Sequence, residues 1–551
     1  MNKILLLGLN CRFTHSNLAL YYLRESLQNI DWQVDLAELT INNSKREILE
    51  KIWRIKPDVL AISVYIWNGE IVERILPDLK QLLPNMKIVL GGPEVSYNHT
   101  KWYQNFAEID HIICGNGESV LPELLAGKLT DRLIRAIPIK FSEVPFPYRD
   151  SDFPALKSKY IYYESSRGCP FRCSYCLSSR SDQKLDFRPL EMVLDELNWL
   201  LQKEPKIIKF IDRTFNAKAS HHRTIWKNLI AHAGSTKFHC EIHPEFLEDE
   251  DFEILQSAPD HLFQFEIGIQ STNPQTISTI NRKEDWQKSR ANILRLIALN
   301  KFHIHTDLIV GLPFEDIKSL QKSFDDIISL DADHFQMGFL KILPGTEMAE
   351  KIAEYEMSHT STEPYEVLQN RWLNFDEIIH LKQIEDLLDK FFNSERFIQT
   401  IKYCHQLYGS PYLFYSELAK WQSLKDFDLS IKNWAKNCEQ LIEFISDSFP
   451  DQKQLLIDIL RYDWCNVSKN DYPDIIDSVA NKQLQKDAQN YFRNFNQSGI
   501  IKYKGLELSI KSIKHANYFR AETVEFYKLV KIEPEVWMYL EQKVFLGIIL
   551  S

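Results

Sequence analysis

Residues 166–176 read Ser166-Arg167-Gly168-Cys169-Pro170-Phe171-Arg172-Cys173-Ser174-Tyr175-Cys176, and this stretch carries most of the information in the chain. The three cysteines follow the spacing Cys-x3-Cys-x2-Cys, with a tyrosine directly before the third. Three thiolates suit a cubane iron–sulfur cluster that leaves one iron without a protein ligand. Such an open iron can chelate a small molecule and pass an electron into it. We therefore predict that Cys169, Cys173 and Cys176 are metal ligands at a catalytic centre.

Clustered cysteines also bind structural zinc or form disulfide frameworks. A structural zinc ion requires four nitrogen or sulfur ligands, and no fourth cysteine lies close to the triplet in the sequence. A disulfide framework is typical of short secreted chains, whereas this chain has 551 residues. The iron–sulfur interpretation is favoured over both because several later segments agree with it.

The middle of the chain repeats a strand followed by a helix. Polar residues collect directly after the predicted strands, where the active sites of parallel barrels lie. Six such units predict a partial, TIM-like (β/α)6 barrel with its site on the C-terminal face. The predicted strands are residues 160–165, 207–211, 237–242, 262–269, 302–310 and 334–340.

The first 140 residues also alternate short apolar runs with amphipathic helical stretches. This rhythm predicts a doubly wound parallel α/β sheet, whose ligands bind at the carboxyl ends of the strands. Two consecutive runs end in the turns Gly91-Gly92-Pro93-Glu94 and Gly115-Asn116-Gly117-Glu118. The predicted strands are residues 4–7, 59–64, 88–90 and 111–113, and two of the predicted helices are residues 17–28 and 70–83.

The cysteine triplet and the ordered glycine turns upstream of it together resemble the radical S-adenosylmethionine (SAM) family. More narrowly, the chain is similar to its cobalamin (B12)-binding branch, in the subfamily with a C-terminal domain of unknown function. In radical SAM proteins the open iron binds the amino and carboxylate groups of SAM. The resemblance covers residues 1 to about 360 and implies three cofactors: a 4Fe–4S cluster, SAM and cobalamin.

The resemblance also implies which residues contact SAM. Glu241, Gln270 and Asp307 are polar groups in or at the end of apolar strands, where burial is costly without a partner. A guanidinium at position 282 offers a planar fork for the SAM carboxylate. The implied SAM contacts are Tyr175 (near the adenine), Glu241, Gln270, Ser271, Arg282 and Asp307. Asp212 and Arg213 could either face the site or form a mutual ion pair.

For cobalamin, the resemblance implies that the two glycine turns cradle the nucleotide tail and the corrin edge. The Asp-x-His-x-x-Gly motif that supplies an axial histidine in other cobalamin proteins is absent, since Asp110 and His111 are adjacent. We therefore expect cobalamin without a protein histidine ligand. His15 could touch the corrin, although a helix N-cap at Thr14 or Ser16 explains that segment more simply. The implied contacts are Gly91, Gly92, Pro93, Glu94, Gly115, Gly117, Glu118 and His15.

Composition places the chain among cytoplasmic globular proteins. The net charge of −11 gives no basic footprint for nucleic acid. Nine cysteines, scattered apart from the triplet, indicate a reducing compartment. No apolar run is long enough to cross a bilayer, and the N-terminus lacks the apolar core of a signal peptide. We expect a cytoplasmic protein without membrane or nucleic-acid partners.

Three domains are predicted. They are a cobalamin-binding domain (residues 1–140), a radical SAM barrel (141–365) and a mainly helical C-terminal domain of unknown function (366–551). In the last domain, residues 375–392 and 429–444 indicate amphipathic helices, and residues 500–510 indicate a small pair of strands. By its position, this domain is expected to cover or shape the substrate opening.

The resemblance implies a metal-binding methyltransferase. It would cleave SAM reductively at the cluster and transfer a methyl group to an unactivated carbon of an unknown small-molecule or natural-product-like substrate. Electrons would come from a flavodoxin or ferredoxin. One alternative is a non-methylating cobalamin reaction such as oxidation, cyclisation or rearrangement. A methylthiotransferase or tRNA-modifying enzyme would need a second cluster or an RNA-binding module, and neither is visible. A non-enzymatic cobalamin or redox sensor would have no use for the SAM-contact residues.

Overall fold

The computed structural model describes residues 2–180, 184–425, 433–468, 472–493, 500–503, 506–509, 517–531, 536–539 and 545–548. The chain divides into two compact units. One comprises Met1–Ala332 and Met337–Ile378, and the other comprises Asp333–Gln336 and Ile379–Ser551. The first unit contains both the N-terminal sheet and most of the barrel.

The N-terminal sheet has six parallel strands in the order β2-β1-β3-β4-β5-β6. The strands are β1 Asn2–Asn10, β2 Trp32–Thr40, β3 Val59–Ser63, β4 Lys87–Gly91, β5 His111–Cys114 and β6 Leu133–Arg135. The helices between them are α1 Leu18–Ser26, α2 Lys45–Ile55, α3 Gly69–Leu82, α4 Pro93–Asn105 and α5 Leu121–Leu125. The strand order reverses between β1 and β3, which is where sheets of this topology bind ligands.

Helices cover both faces of this sheet, which explains its continuous apolar strands. Leu5, Leu7 and Leu9 of β1 pack into one core, and Ile4 and Leu6 pack into the other. Alternate side chains of a strand point to opposite faces, so a strand buried on both sides must be apolar throughout. The predicted doubly wound α/β sheet is therefore confirmed.

Two strands of this sheet were not predicted. In β2 only Ala37 is buried, and the strand carries Gln33, Asp35 and Glu38, so it lacks the apolar run that identifies its neighbours. It lies at the edge of the sheet, where one side needs no strand partner. β6 has only three residues, too few to give a pattern.

The second sheet also has six strands, and its order β14-β13-β12-β11-β10-β7 places each strand beside the next in sequence. These strands are β7 Ile161–Tyr163, β10 Ile207–Phe210, β11 Lys237–Glu241, β12 Phe263–Gln270, β13 His303–Val310 and β14 His334–Phe339. All six agree with the predicted strands to within two residues at each end. The arrangement is the open parallel (β/α)6 sheet that the rhythm of the sequence indicates.

Helices and short strands connect and flank this sheet. The helices are α6 Phe153–Leu156, α7 Leu190–Leu201, α8 Ala219–His232, α9 Asp249–Gln256, α10 Pro274–Thr279, α11 Trp286–Ala298, α12 Ile317–Ile328 and α13 Glu347–Glu350. The short strands form two antiparallel pairs, β8 Ser166–Arg167 with β9 Asp186–Phe187 and β15 Ser358–His359 with β16 Val367–Gln369.

The C-terminal unit is mainly helical, as predicted. Its helices are α14 Phe375–Phe391, α15 Ile398–Tyr408, α16 Pro411–Lys425, α17 Trp434–Ser448, α18 Lys453–Val467, α19 Val479–Arg493 and α20 Val524–Val530. Its strands are β17 Ile500–Tyr503, β18 Leu506–Ser509, β19 Asn517–Phe519, β20 Val536–Tyr539 and β21 Phe545–Ile548. The predicted strand pair is β17 with β18. Residues 429–432 of one predicted helix, and 504, 505 and 510 of the strand pair, lie outside the described residues.

Across the described ranges, we find no helix with the length and apolar character needed to cross a membrane. The three domain boundaries remain predictions, as does the placement of the C-terminal domain at the substrate opening.

Candidate active site

The cysteine loop leaves the barrel at the end of β7, and a buried carboxylate fixes its first residues. Asp212, directly beyond β10, accepts hydrogen bonds from the Ser165 amide at 2.9 Å, the Ser165 hydroxyl at 2.6 Å and the Ser166 hydroxyl at 2.7 Å. Burial raises the pKa of Asp212, and these three donors oppose that shift. Asp212 therefore does not form an ion pair with Arg213, which was one of the two predicted alternatives. It holds the chain that leads into the cysteine loop.

Gly168 gives the loop its sharp turn. Its φ is +90°, and a Cβ built there would lie 2.5 Å from the Lys184 carbonyl oxygen. Only glycine tolerates both this left-handed conformation and this close backbone approach. Just before it, β8 pairs with β9 through Arg167 and Asp186, so both ends of the turn are held.

The three cysteines share this loop. Cys169 and Cys173 are buried and Cys176 is half-exposed. The Cys169 sulfur lies 3.7 Å from the Thr214 hydroxyl. Burial raises the pKa of Cys169 and of Cys173, and the charge of Arg282 partly offsets this. Three thiols on one loop beside a cation fit an iron–sulfur cluster.

Within the described ranges, no three His, Cys, Asp or Glu side chains converge closely enough to hold a single metal ion. A cubane cluster has a different requirement, because each of its thiolates binds a different iron. The arrangement of the cysteine loop is therefore compatible with a cubane.

Gln270, which is predicted to contact SAM, has an unusual backbone conformation at the end of β12. Its φ is +71°, and the pairing of β12 with β13 shifts register between Gly268 and Gln270. Its Oε1 is buried and finds no hydrogen-bond partner in the described part of the chain. Strained backbone and an unsatisfied buried polar atom are both features of ligand sites. This position therefore fits a polar ligand such as SAM.

Three other predicted SAM contacts are already engaged by protein groups. The Ser271 hydroxyl donates to the buried Glu315 carboxylate at 2.9 Å. Arg282 pairs with Glu284 at 2.6 Å through Nε, and its Nη2 donates to the Gly268 carbonyl. Asp307 lies 3.0 Å from His305 Nε2. A ligand that uses these side chains must share or displace the present partners.

Tyr175 and Glu241 complete the predicted SAM set. Burial raises the pKa of Tyr175, and the neighbouring Cys173 adds to this shift. Glu241 ends β11, with its carboxylate 4.0 Å from Arg213 Nη1. Burial first, and then the nearby carboxylates, raise the pKa of Glu241 to about 7, against the opposing charge of Arg213.

A cavity of about 660 Å³ opens between the N-terminal sheet and the mouth of the barrel. The ends of β1, β3 and β4 and the loop after β5 form one wall, which is the switch point of the sheet. The other wall comes from the barrel and includes Glu164, Arg167, Arg213 and Glu241. Leu177 and Ser178, directly after Cys176, also line it. The cavity therefore reaches the cysteine loop.

Most of the predicted cobalamin contacts lie on this cavity. Four glycines of the two turns lie on its N-terminal wall, where the lack of side chains leaves room for a large planar ligand. Gly92 has a φ of +104°, and a Cβ there would lie 2.5 Å from the Val64 carbonyl oxygen. The predicted contacts that line the cavity are His15, Gly91, Gly92, Pro93, Gly115, Gly117 and Glu118. The cavity and its glycine turns therefore fit a corrin.

Glu94 is the exception and corrects the prediction. It does not line the cavity. Its buried carboxylate accepts hydrogen bonds from the Tyr365 hydroxyl at 2.7 Å and from the Asn98 amide at 3.2 Å. The partner Tyr365 lies far along the chain, so the sequence near Glu94 gives no sign of this contact.

His15 faces the cavity, with its Nδ1 2.5 Å from the Tyr162 hydroxyl. Burial lowers the pKa of His15, and the charges of Lys209 and Arg12 lower it further. The expected N-cap at Thr14 or Ser16 is wrong, because helix α1 begins after Asn17. The Ser16 hydroxyl donates instead to the Tyr160 carbonyl at 2.8 Å.

Arg167 and Glu164, which the sequence did not single out, connect the two walls. Arg167 forms ion pairs with Glu118 at 2.9 Å and with Glu164 at 3.0 Å. Its guanidinium also lies 4.6 Å from the Phe141 ring. The sequence feature that could have identified Arg167 is its position two residues before the first cysteine of the triplet.

Comparison with known families finds three matching segments in the chain. Residues 4–125 match the B12 binding domain, residues 163–327 match the radical SAM superfamily, and residues 353–538 match a protein family of unknown function, DUF4080. The chain therefore carries a B12 binding domain, a radical SAM domain and a DUF4080 domain, in that order. The B12 binding and radical SAM domains confirm the predicted cofactor classes, which are cobalamin, SAM and a 4Fe–4S cluster.

Two curated relatives carry related names. The cobalamin-dependent radical SAM methyltransferase TokK of Streptomyces tokunonensis is 24% identical over 65% of this chain and 58% of its own length. The 2-(S-pantetheinyl)-carbapenam-3-carboxylate methyltransferase of Streptantibioticus cattleyicolor is 25% identical over 54% of this chain and 49% of its own. The chain thus spans about half of the length of these relatives.

Solved structures share the fold. OxsB, a cobalamin-dependent SAM radical enzyme solved with aqua-cobalamin and SAM, has a TM-score of 0.57 at 14% identity, covering 90% of this chain and 82% of its own. The methyltransferase TsrM of Kitasatospora setae, solved with cobalamin and a 4Fe–4S cluster, has a TM-score of 0.54 at 16% identity, covering 64% of this chain and 75% of its own.

Proposed function

We propose that this chain is a cobalamin-dependent radical SAM enzyme that transfers a methyl group to an unactivated carbon of a small-molecule substrate. One observation carries the proposal. A single cavity is walled by the glycine turns of the B12 binding domain on one side and by the barrel mouth, next to the cysteine loop, on the other. A corrin held there would face the place where SAM binds.

Each side chain has a proposed task. Cys169, Cys173 and Cys176 would hold a 4Fe–4S cluster, and Asp212 would orient their loop through Ser165 and Ser166. When bound, the cluster and SAM supply a radical source, and cobalamin supplies a methyl carrier.

The barrel residues would bind SAM. Gln270 would accept a hydrogen bond at its unsatisfied Oε1, and Tyr175 would pack near the adenine. Arg282, held by Glu284, would present its remaining donors to the SAM carboxylate. We propose Glu241, Ser271 and Asp307 as further SAM contacts, the last two after exchange of their present partners.

The cavity wall would position cobalamin and exclude water from it. Gly91, Gly92, Pro93, Gly115, Gly117, Glu118 and His15 would contact the corrin or its tail. We propose no axial histidine, because the Asp-x-His-x-x-Gly motif is absent from the sequence. A low-potential flavodoxin or ferredoxin would supply the electron.

The methyl transfer itself is supported by the names of the two relatives, both of which are called methyltransferases. The substrate stays undefined beyond a small molecule. A non-methylating cobalamin reaction uses the same fold, and the two are separated by experiment.

The test is anaerobic reconstitution of the full chain with iron, sulfide and hydroxocobalamin, followed by quantification of iron and corrin. We expect about four irons for a cubane, one corrin per chain, and 5′-deoxyadenosine from SAM under reductant. Cys169→Ala should lose the iron and the SAM cleavage. Cys404→Ala, at a buried cysteine outside the loop, should keep both. Zinc in place of iron, without SAM cleavage, would overturn the proposal.

Methyl-deuterated SAM then separates the two cobalamin reactions. A small-molecule extract is incubated with the reconstituted enzyme, and the products are analysed by mass spectrometry. A labelled product supports methylation. Formation of 5′-deoxyadenosine with an altered but unlabelled substrate would establish oxidation, cyclisation or rearrangement instead.

A further inference from the structure

We propose that Arg167 is a positioning residue that couples the cobalamin site to the cluster site, so that filling one site tightens the other. This inference rests on the proposed function, because it needs both cofactors. It concerns Arg167 and Glu164, to which the resemblance assigns no role, and Glu118, a proposed cobalamin contact.

The first step is the geometry of the bridge. Arg167 Nη2 donates to Glu118 Oε1 at 2.9 Å, and Nε donates to Glu164 Oε2 at 3.0 Å. The three side chains keep only 17%, 9% and 16% of their surface exposed, respectively. The guanidinium also lies 4.6 Å from Phe141 and 5.0 Å from the Tyr22 ring. A planar group held by two carboxylates and two rings has little freedom to rotate.

The second step is the connection to the cluster. Arg167 lies two residues before Cys169 and pairs with Asp186 in the β8–β9 ladder. Between them, Gly168 has a left-handed φ of +90°, and the nearby Lys184 carbonyl leaves no room there for a side chain. A shift of the cysteines on cluster binding therefore reaches the guanidinium through a short and stiff piece of backbone.

The third step is the connection to the corrin. Glu118 lies in the 3-10 turn Gly117–Ser119, which follows β5. Glu118, Gly115 and Gly117 all line the 660 Å³ cavity, as do Arg167 and Glu164. The same carboxylate that accepts from Arg167 thus belongs to the turn that would touch cobalamin.

Together these steps give one rigid connection between the two cofactor sites. If cluster binding favours the arrangement in which Arg167 meets Glu118, the corrin turn is already ordered when cobalamin arrives. Linkage requires the reverse effect to be equal in size. On this proposal, the bridge favours the state in which both cofactors are bound.

The test measures the dissociation constant of hydroxocobalamin by absorbance under anaerobic conditions, for the cluster-free and cluster-loaded full chain. We expect the cluster-loaded wild type to bind roughly fivefold or more tightly. Arg167→Gln should bring this ratio close to one. Glu118→Gln, which removes only the charge of the partner, should reduce the ratio as well and serves if Arg167→Gln fails to fold.

The matched control is Arg24→Gln. Arg24 also joins two carboxylates, Glu25 at 2.8 Å and Asp152 at 2.5 Å, and it does not line the cavity. This control should keep the wild-type ratio even if it lowers the melting temperature.

A wild-type ratio of one, or an unchanged ratio in both Arg167→Gln and Glu118→Gln, would overturn the coupling while leaving the proposed function intact. A reduced ratio in Arg24→Gln equal to that in Arg167→Gln would also overturn it. Absence of hydroxocobalamin binding in either state of the wild type would overturn the proposed function and the coupling together.

Discussion

At the scale of single residues, Glu241 gives a prediction about pH. Its pKa is raised to about 7 from an ordinary value of 4.5, chiefly by burial. A raised carboxyl pKa means that the folded state favours the protonated form. The stability it contributes is therefore complete below about pH 4.5 and is lost as the pH rises through 7.

Glu241→Gln removes this titration. We expect the melting temperature of the variant, relative to that of the wild type, to increase from pH 5 to pH 8. The measurement is a thermal melt of both proteins across this range. A difference between the two proteins that does not change with pH would contradict the raised pKa of Glu241.

The same scale shows what sequence reasoning can reach. The cysteine triplet could be singled out from the sequence because its three members lie in one local segment with a fixed spacing. Glu94 was not, because its partner Tyr365 lies 271 residues away. Asp212 was placed at the correct strand end, but its partners Ser165 and Ser166 come from another strand. The spacing of residues along the sequence can predict a local site. Contact partners that are far apart in the sequence are identified only from the fold.

At the scale of elements, the turn after β4 provides a test of the cavity wall. Gly92→Ala adds a Cβ at a φ of +104° and 2.5 Å from the Val64 carbonyl. We expect a loss of at least about 2 kcal/mol in unfolding free energy and weaker binding of hydroxocobalamin, because the backbone must move. Urea unfolding and absorbance titration measure the two effects.

Gly127→Ala is the matched control for this change. Gly127 also has a positive φ, +71°, but a Cβ there meets nothing within 4 Å. Gly127→Ala should lower the unfolding free energy by about 1 kcal/mol and leave the binding of hydroxocobalamin unchanged. Equal corrin affinity in Gly92→Ala and the wild type would refute the assignment of this turn.

The loop that follows β7 provides a second element-scale prediction. Asp212→Ala leaves three buried donors on Ser165 and Ser166 without their acceptor. We expect a loss of about 3 kcal/mol and a lower iron content after reconstitution. Asp260→Ala, at a side chain that is 70% exposed, should change stability by less than about 0.5 kcal/mol. If Asp212→Ala is destabilised but keeps its full iron content, the result would contradict the proposed role of Asp212 in orienting the cysteine loop.

The strands show why some elements could be predicted from the sequence and others could not. The barrel strands β12 and β13 alternate buried and half-exposed side chains, and all six barrel strands were predicted to within two residues because polar residues follow each of them. In the N-terminal sheet, β2 escaped prediction because Gln33, Asp35 and Glu38 interrupt the apolar run that marks its neighbours. In that sheet apolar runs identify the central strands, whereas the edge strand is recognised through its neighbour.

At the scale of the whole molecule, two sheets in one compact unit meet at a common cavity. The topology alone places ligands at the β1–β3 switch point of the first sheet and at the C-terminal face of the second. Both halves of the proposed site could therefore be inferred from the sequence. That the halves share one cavity follows from contacts such as the Glu118–Arg167 ion pair, which join distant segments.

The most direct test of the account is the proximity of the two cofactors. Pulsed electron paramagnetic resonance on the full chain, with the corrin prepared as cob(II)alamin and the cluster reduced, reports whether the two spins interact. We predict a dipolar interaction, because the cavity is lined by Leu177 and Ser178, directly beside Cys176. Two independent signals without any interaction would contradict a shared cavity and, with it, the central claim.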